Sequence, residues 1–395
     1  MTSAKDAGGT ARHGLAGRHG GQVLVDQLKA HGVRRVFSVP GESFLAVLDA
    51  LYDSGIENIV CRHEGAAAMM AEATGKLTGR PGVAFVTRGP GAMNASSGVH
   101  VARQDSTPMV LFVGQIARGH RDREAFQELD YRAVFGSVAK WVAEVDDADR
   151  LVEYINRAFL VACTGRPGPV VLALPEDMLS GLTGVVGRAA HRISPTAVSQ
   201  GQVDDIQRLL MQAKRPLVVA GGSGWTAAAA LDLQRFAQAF DVPVAVTFRR
   251  QDYLDNRVDN YVGDLGVGMN AKLGKRLKDS DFLLVLGARF GDITTGGYTL
   301  VTPQDQGRVM VHVHPDPNLP GQLLNCDLTV SAHPVKLLEK LAELRPEAAP
   351  VWAEWRRAAR ADYENWQVPV ETPGAVKMEA VVGWLSQHLP HDAIL

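Results

Sequence analysis

Two stretches place chemistry-bearing residues where a strand gives way to a helix. The first is Arg62-His63-Glu64-Gly65-Ala66-Ala67-Ala68-Met69-Met70-Ala71-Glu72. A carboxylate at the head of a helix complements the helix dipole, and that role alone would account for Glu64. The residues that follow are nearly all small or apolar. A carboxylate beside such a surface is poorly solvated and stays available to bond a ligand. The second stretch is Thr87-Arg88-Gly89-Pro90-Gly91-Ala92-Met93-Asn94, whose glycines let a ligand approach the backbone closely. Both stretches follow apolar strands, and open parallel sheets place their sites at strand C-terminal ends.

Other patterns carry less. Gly268 through Lys275 has one residue too many between its glycines for a phosphate-binding loop, and Arg276 stands where Ser or Thr should hold magnesium. Gly75-Lys76 is followed by Leu77 and fails likewise. Gly222-Ser223-Gly224 resembles the start of a dinucleotide turn, with Ala227 at the third glycine position, but no acidic residue follows at the required distance. A tight strand-to-helix turn accounts for it. Asn94-Ala95-Ser96 is a glycosylation sequon only in a secreted chain. His312 and His314 share one face of a strand without a third ligand, so they read as a half-buried sheet pair, and no metal site is expected.

The elements that position these residues alternate between strands and helices. Helices are expected over 23–31, 44–53, 66–78, 92–103 and 148–163, and strands over 35–39, 59–62, 83–87, 109–113 and 169–174. Arg88–Gly91 reads as a glycine-rich turn. Phe44, Leu45, Leu48 and Leu51 should share the buried face of the second helix. A second block repeats the alternation, with helices over 203–212 and 227–240 and strands over 216–220, 242–247, 282–286 and 309–314. The fold class is therefore α/β, with two doubly wound parallel-sheet domains. Residues 1–20 read as a disordered tail, 21–180 as the first domain, 181–200 as a linker and 201–345 as the second domain. Residues 346–376 read as a polar connector, and 377–395 as an amphipathic helix opening a third domain.

Composition narrows the function. The chain has 395 residues, ample for two or three domains. Its 41 Lys and Arg balance 43 Asp and Glu, so no basic excess points to nucleic acid or an anionic membrane. At 6% aromatic residues it offers no base-stacking platform. Three scattered cysteines, Cys61, Cys163 and Cys326, suit a reducing cytoplasm, and no apolar run is long enough for a membrane span.

The two chemical stretches, with Asp105-Ser106-Thr107-Pro108-Met109-Val110, Ala125-Phe126-Gln127-Glu128 and Thr164-Gly165-Arg166-Pro167-Gly168-Pro169-Val170, resemble the N-terminal half of thiamine diphosphate-dependent enzymes. The acetolactate synthase-like branch is the nearest match. Gly263–Gly268 and Leu286-Gly287-Ala288-Arg289-Phe290 continue the resemblance, which covers roughly residues 20 to 390. It implies a pyrimidine-binding domain followed by a middle domain. The third domain of such enzymes holds magnesium and the diphosphate through a Gly-Asp-Gly motif. Gly263-Asp264-Leu265 and Gly291-Asp292-Ile293 both lack the last glycine, so that domain is expected to be truncated here.

By this resemblance, Glu64 bonds N1′ of the aminopyrimidine and is the catalytic residue. Pro40, Gly41, Glu42, Thr87, Gly89, Pro90, Gly91 and Asn94 are the implied cofactor-binding set. Gln115, Phe126, Gln127 and Lys140 are implied on the substrate approach. Some relatives bind FAD in the middle domain, where Gly221, Gly222, Gly266, Gly268 and Arg289 occupy comparable places. The implied reaction is decarboxylation of a small 2-oxo acid followed by carboligation, in a homodimer or homotetramer. Decarboxylases that release an aldehyde carry a His-His pair; here the matching region is Ala125–Glu128, and His120 stands alone.

The chain departs from the family at three places. Glu42-Ser43 follows Pro40-Gly41 where a further glycine is common. Arg88 replaces a common Ser, and Phe248-Arg249-Arg250-Gln251-Asp252 is unlike the usual middle-domain sequence, which weighs against flavin. Two other readings stand beside the enzyme: a non-catalytic binding or assembly protein that keeps the fold, and one chain of a two-chain 2-oxo acid decarboxylase.

Overall fold

The computed structural model describes residues 17–390 together with 392 and 393. The chain divides into two compact units, Met1–Ser194 and Pro195–Leu395.

In the first unit the order is β1 (Arg18–His19), α1 (Gly20–Ala30), β2 (Arg35–Ser38), α2 (Leu45–Tyr52), β3 (Glu57–Val60), α3 (Glu64–Thr78), β4 (Gly82–Thr87) and α4 (Arg88–Asp105). There follow β5 (Met109–Gln115), α5 (Tyr131–Phe135), β6 (Trp141–Glu144), α6 (Leu151–Cys163), β7 (Pro169–Pro175), α7 (Glu176–Ser180) and β8 (Leu182–Thr183). Six strands form one sheet in the order β3-β2-β4-β5-β7-β6, paired in parallel. Strands β5 and β7 are buried along their whole length, because helices cover both faces and every side chain meets apolar surface. One layer is built around Leu24, Phe44, Phe85, Phe112 and Phe159, the other around the alanines of α3 and α4.

Small side chains decide how near α3 and α4 lie. A Cβ added at Gly98 would stand 2.5 Å from the Cβ of Ala68. That close packing fixes the heads of the two helices relative to each other, and both heads carry candidate residues.

The second unit contains α8 (Gln200–Met211), β9 (Pro216–Ala220), α9 (Ala227–Ala239), β10 (Val244–Thr247), β11 (Tyr261–Leu265), α10 (Ala271–Asp279), β12 (Phe282–Leu286) and α11 (Asp292–Thr295). It continues with β13 (Val309–His314), β14 (Leu328–Ser331), α12 (Pro334–Leu341), α13 (Ala353–Trp366) and α14 (Met378–His388). Its sheet has the order β11-β10-β9-β12-β13-β14, again parallel. Two doubly wound α/β sheets are therefore present, as the alternation predicts.

Several expectations need correction. Most of the expected tail, residues 1–16, lies outside the described residues, but Arg18–His19 pairs antiparallel with Leu182–Thr183 of the expected linker. Helix α1 then starts at Gly20, three residues early, because His19 and Gln22 form a reciprocal cap. Arg88–Gly91 is not a separate turn but the first turn of α4. Leu45 is 60% exposed and does not share the buried face with Phe44 and Leu51. The polar stretch 346–376 contains α13, which belongs to the second unit. Trp352 is buried and donates its indole N–H to the carbonyls of Phe240 and Asp241, and Arg276 pairs with Asp362. Polarity misled there because Ala359 is the one residue of the helix that is fully buried. Helix α14 spans nearly the expected residues, with Val381, Val382 and Trp384 exposed.

Candidate active site

Strand order in the first unit reverses between β2 and β4, the position where doubly wound sheets open a crevice. The loops leaving these strands lie against each other. A Cβ on Gly41 would fall 2.4 Å from the Cβ of Thr87, so only glycine fits there. The hydroxyls of Ser43 and Thr87 share a hydrogen bond. Sequence reading missed Ser43, although a hydroxyl straight after a Pro-Gly turn was the available signal.

Glu64 opens α3. Its neighbour His63 is the N-cap and accepts the Gly65 amide proton on Nδ1 at 3.0 Å. Asn94, two turns into α4, donates from Nδ2 to Glu64 Oε2 at 2.9 Å. Glu64 Oε1 faces Gly91, where a Cβ would stand 3.3 Å away. Gly91 thus leaves room beside the carboxylate, and Asn94 fixes its rotation. Pro90 follows Gly89 in the same helical turn, where its missing N–H costs nothing.

Arg88 starts α4 with φ +41°, a left-handed conformation unusual for a side-chain-bearing residue. Its guanidinium lies 2.8 Å from Glu176 and 3.5 Å from Glu42. Gly89 donates its amide proton to the Gln127 carbonyl at 2.9 Å. Residues 88 and 89 therefore join the loops after β2 and β5 and the head of α7. Phe126 projects into solvent at 74% exposure, and Gln127 also has positive φ, at +66°.

Gln115 and Lys140 each bond backbone. Gln115 is buried, donates to the Leu129 carbonyl at 3.0 Å and accepts from the Ile116 amide. The Lys140 ammonium donates to the carbonyls of Val161 and Thr164 at the end of α6. Both side chains brace backbone.

A cleft of about 920 Å³ lies along segment 121–132, lined by Gln115, Arg121, Gln127, Tyr131 and Glu144 among others. Arg121 pairs with Glu144 and Asp146. Burial pushes the Glu144 carboxyl above its ordinary range, partly offset by Arg121. Burial likewise raises the Tyr131 phenol, whose hydroxyl has no partner among the described residues. Sequence reading did not single out these residues. The signal for Glu144 was a carboxylate ending an otherwise apolar strand.

The FAD-related candidates belong to the second unit. Gly221 and Gly222 leave β9, Gly266 and Gly268 follow β11, and Arg289 is an exposed residue after β12. His312 shares a 2.8 Å hydrogen bond with the Ala288 carbonyl, and His312 and His314 are both buried, more deeply than the half-buried pair the strand pattern suggested. No group of three or more His, Cys, Asp or Glu side chains converges on a metal position among the described residues. No helix among them is long and apolar enough to cross a membrane.

Known proteins share this arrangement of domains. Residues 18–134 match the thiamine pyrophosphate enzyme N-terminal TPP-binding domain, and residues 203–341 match the central domain. The Escherichia coli acetolactate synthase isozyme 2 large subunit is 30% identical over 378 residues, 95% of this chain and 68% of the relative. The Parasynechococcus marenigrum acetolactate synthase large subunit is 32% identical over 348 residues, 85% of this chain and 56% of its own. The mitochondrial acetolactate synthase of Schizosaccharomyces pombe is 33% identical over 304 residues, 73% and 45% respectively. The chain thus spans between 45% and 68% of the length of these relatives. It belongs to the thiamine pyrophosphate enzyme family, of which it carries the N-terminal and central domains.

Proposed function

We propose that this chain supplies the pyrimidine-binding half of a thiamine diphosphate-dependent, acetolactate synthase-like enzyme that decarboxylates a small 2-oxo acid and ligates the product to a second carbonyl. The observation that carries the reading is the Glu64 carboxylate, held by Asn94 and faced by Gly91. A carboxylate fixed in rotation, with space beside one oxygen, suits an aminopyrimidine ring nitrogen. When bound, thiamine diphosphate supplies the carbanion chemistry. Glu64 holds a proton at the ring nitrogen, and Asn94 keeps its other oxygen occupied. Gly41, Thr87, Gly89 and Pro90 shape the neighbouring backbone, with Pro40 and Glu42 beside them. Phe126 and Gln127 stand on the substrate side. Gln115 and Lys140 brace the backbone there.

Magnesium and the diphosphate need oxygen ligands beyond those described here, so the 395-residue chain by itself should hold the cofactor weakly. We assign it to the cytoplasm and to a homodimer or homotetramer, on the strength of the family. The test joins the chain to a diphosphate-binding domain and supplies pyruvate, thiamine diphosphate and magnesium. Acetolactate as the main product is expected, since no histidine pair stands at Ala125–Glu128 to protonate the intermediate. Acetaldehyde without acetolactate overturns the carboligase reading.

A further inference from the structure

The second unit has its own strand-order reversal, between β9 and β12, and the turns after those strands bound the crevice. Sheets of this kind bind dinucleotides there, with the diphosphate against the turn amides and the following helix N-terminus. The residues present do not fit that use, because the chain's own side chains already bond the carbonyls of the turn and stack beside it.

Trp225 donates its indole N–H to the Gly221 carbonyl at 2.8 Å. The Arg250 guanidinium and the Tyr253 hydroxyl both donate to the Gly222 carbonyl, the hydroxyl at 2.8 Å. The rings of Trp225 and Tyr253 stack with centroids 4.5 Å apart and planes 21° from parallel. A Cβ on Gly222 would fall 1.9 Å from the Gly287 carbonyl, and one on Gly224 would fall 2.9 Å from His333 Nε2. Thr226 caps α9 by accepting from the Ala229 amide. Arg250 is only 6% exposed and also donates to the Arg249 carbonyl. A buried guanidinium holds its place through such bonds, since removing its partners leaves a desolvated charge. The groove beside Gly266 and Gly268 is lined by Asp292, whose carboxylate repels a diphosphate.

We propose that Arg250 and Tyr253 form a built-in plug of this crevice, and that the second unit therefore keeps no flavin. In place of a cofactor, these side chains join the turn after β9 to the segment after β10. The question of flavin arises from the family assignment, but the geometry and the test are independent of any 2-oxo acid turnover.

The experiment incubates the full chain with excess FAD and separates free from bound flavin by gel filtration, with melting curves recorded alongside. The expected result is a protein peak without flavin absorbance and a melting temperature that FAD does not move. Tyr253→Phe, which deletes one hydrogen bond, should lower melting of the second unit by about 2–4 °C, and Arg250→Ala by more, with or without FAD. Near-stoichiometric flavin on the parent chain, or a rise in its melting temperature with FAD, overturns the proposal. So does an Arg250→Ala chain that melts like the parent.

Discussion

The two sheets reverse their strand order in the same manner, yet their crevices differ in what lies beside them. Next to the first is a half-buried carboxylate, steadied by one amide and faced by a glycine. In the second, a buried guanidinium and two stacked aromatic rings close over the glycine turn. Topology supplies a crevice; the side chains at its rim decide whether a ligand or the protein itself fills it. Small residues serve both ends, but at Gly91 the missing side chain makes room, whereas at Gly222 it lets backbone meet backbone.

The sharpest way to break this comparison is at Glu64. In the enzyme supplied with a diphosphate-binding domain, Glu64→Gln should preserve melting and reduce turnover of pyruvate by about 10²–10⁴-fold. The carboxamide fills the same volume but holds no proton at the ring nitrogen. Turnover within a few-fold of the parent would remove Glu64 from the chemistry.

A glycine pair sharpens the other half. Gly222→Ala should cost the second unit about 3 kcal/mol or more, because φ is +79° and the Gly287 carbonyl blocks the new methyl group. Gly268→Ala has φ +74° but open space, and should cost only about 1 kcal/mol. Urea unfolding read on each variant measures the difference; equal costs would mean that the turn after β9 is not closely packed.

Arg88→Ser should destabilise the first unit by about 1–2 kcal/mol, from the lost bond to Glu176. It should also speed amide exchange across 121–128, the segment that Arg88 and Gly89 contact at Phe126 and Gln127. Unchanged exchange there would show that the Gly89 amide alone suffices.

The smallest effect concerns pH. Burial lowers the affinity of His312 and His333 in the second unit for a proton, and of His31 in the first. Below about pH 6.5 the unfolded chain takes up a proton that the native histidine declines, so stability falls until the native group also titrates. His312→Asn should therefore flatten the acid side of the stability curve of the second unit relative to the parent. Parallel curves would show that His312 contributes nothing to the slope.

Much of the fold was legible in apolar runs. Pro216–Ala220, Phe282–Leu286 and Val309–His314 form strands with the bounds their sequence implies, because buried parallel strands are uninterrupted hydrophobic segments. Strand β11 was overlooked because Gly263 and Asp264 interrupt its apolar pattern. Helix α13 was hidden by its polar surface. Of the candidate site, Glu64, Gly91 and Asn94 come together, since each sits at a recognisable strand-to-helix junction. Gln115 and Lys140 could not be judged in advance, because their partners, Leu129, Val161 and Thr164, are set by packing between distant segments. The Trp225–Tyr253 stack is hidden for the same reason: nothing local brings residues 28 apart in number into contact.

The short ladder between Arg18–His19 and Leu182–Thr183 has a mechanical consequence. Arg18 faces Thr183 and His19 faces Leu182, so residues 17 and 184 lie at the same end of one antiparallel clip. Past the clip the chain stays on the unit, where the Arg188 backbone shares two hydrogen bonds with the Gln27 side chain and Val185 packs on the core, so tension from that side must break these contacts before it peels the clip rung by rung. The clip thus yields only after the Gln27–Arg188 bonds do. Because residues 17 and 184 lie side by side, a short peptide joining them should let the unit accept new termini at the Gly79–Pro81 bend, where the chain passes from α3 to β4, at the cost of the Gln27–Arg188 bonds.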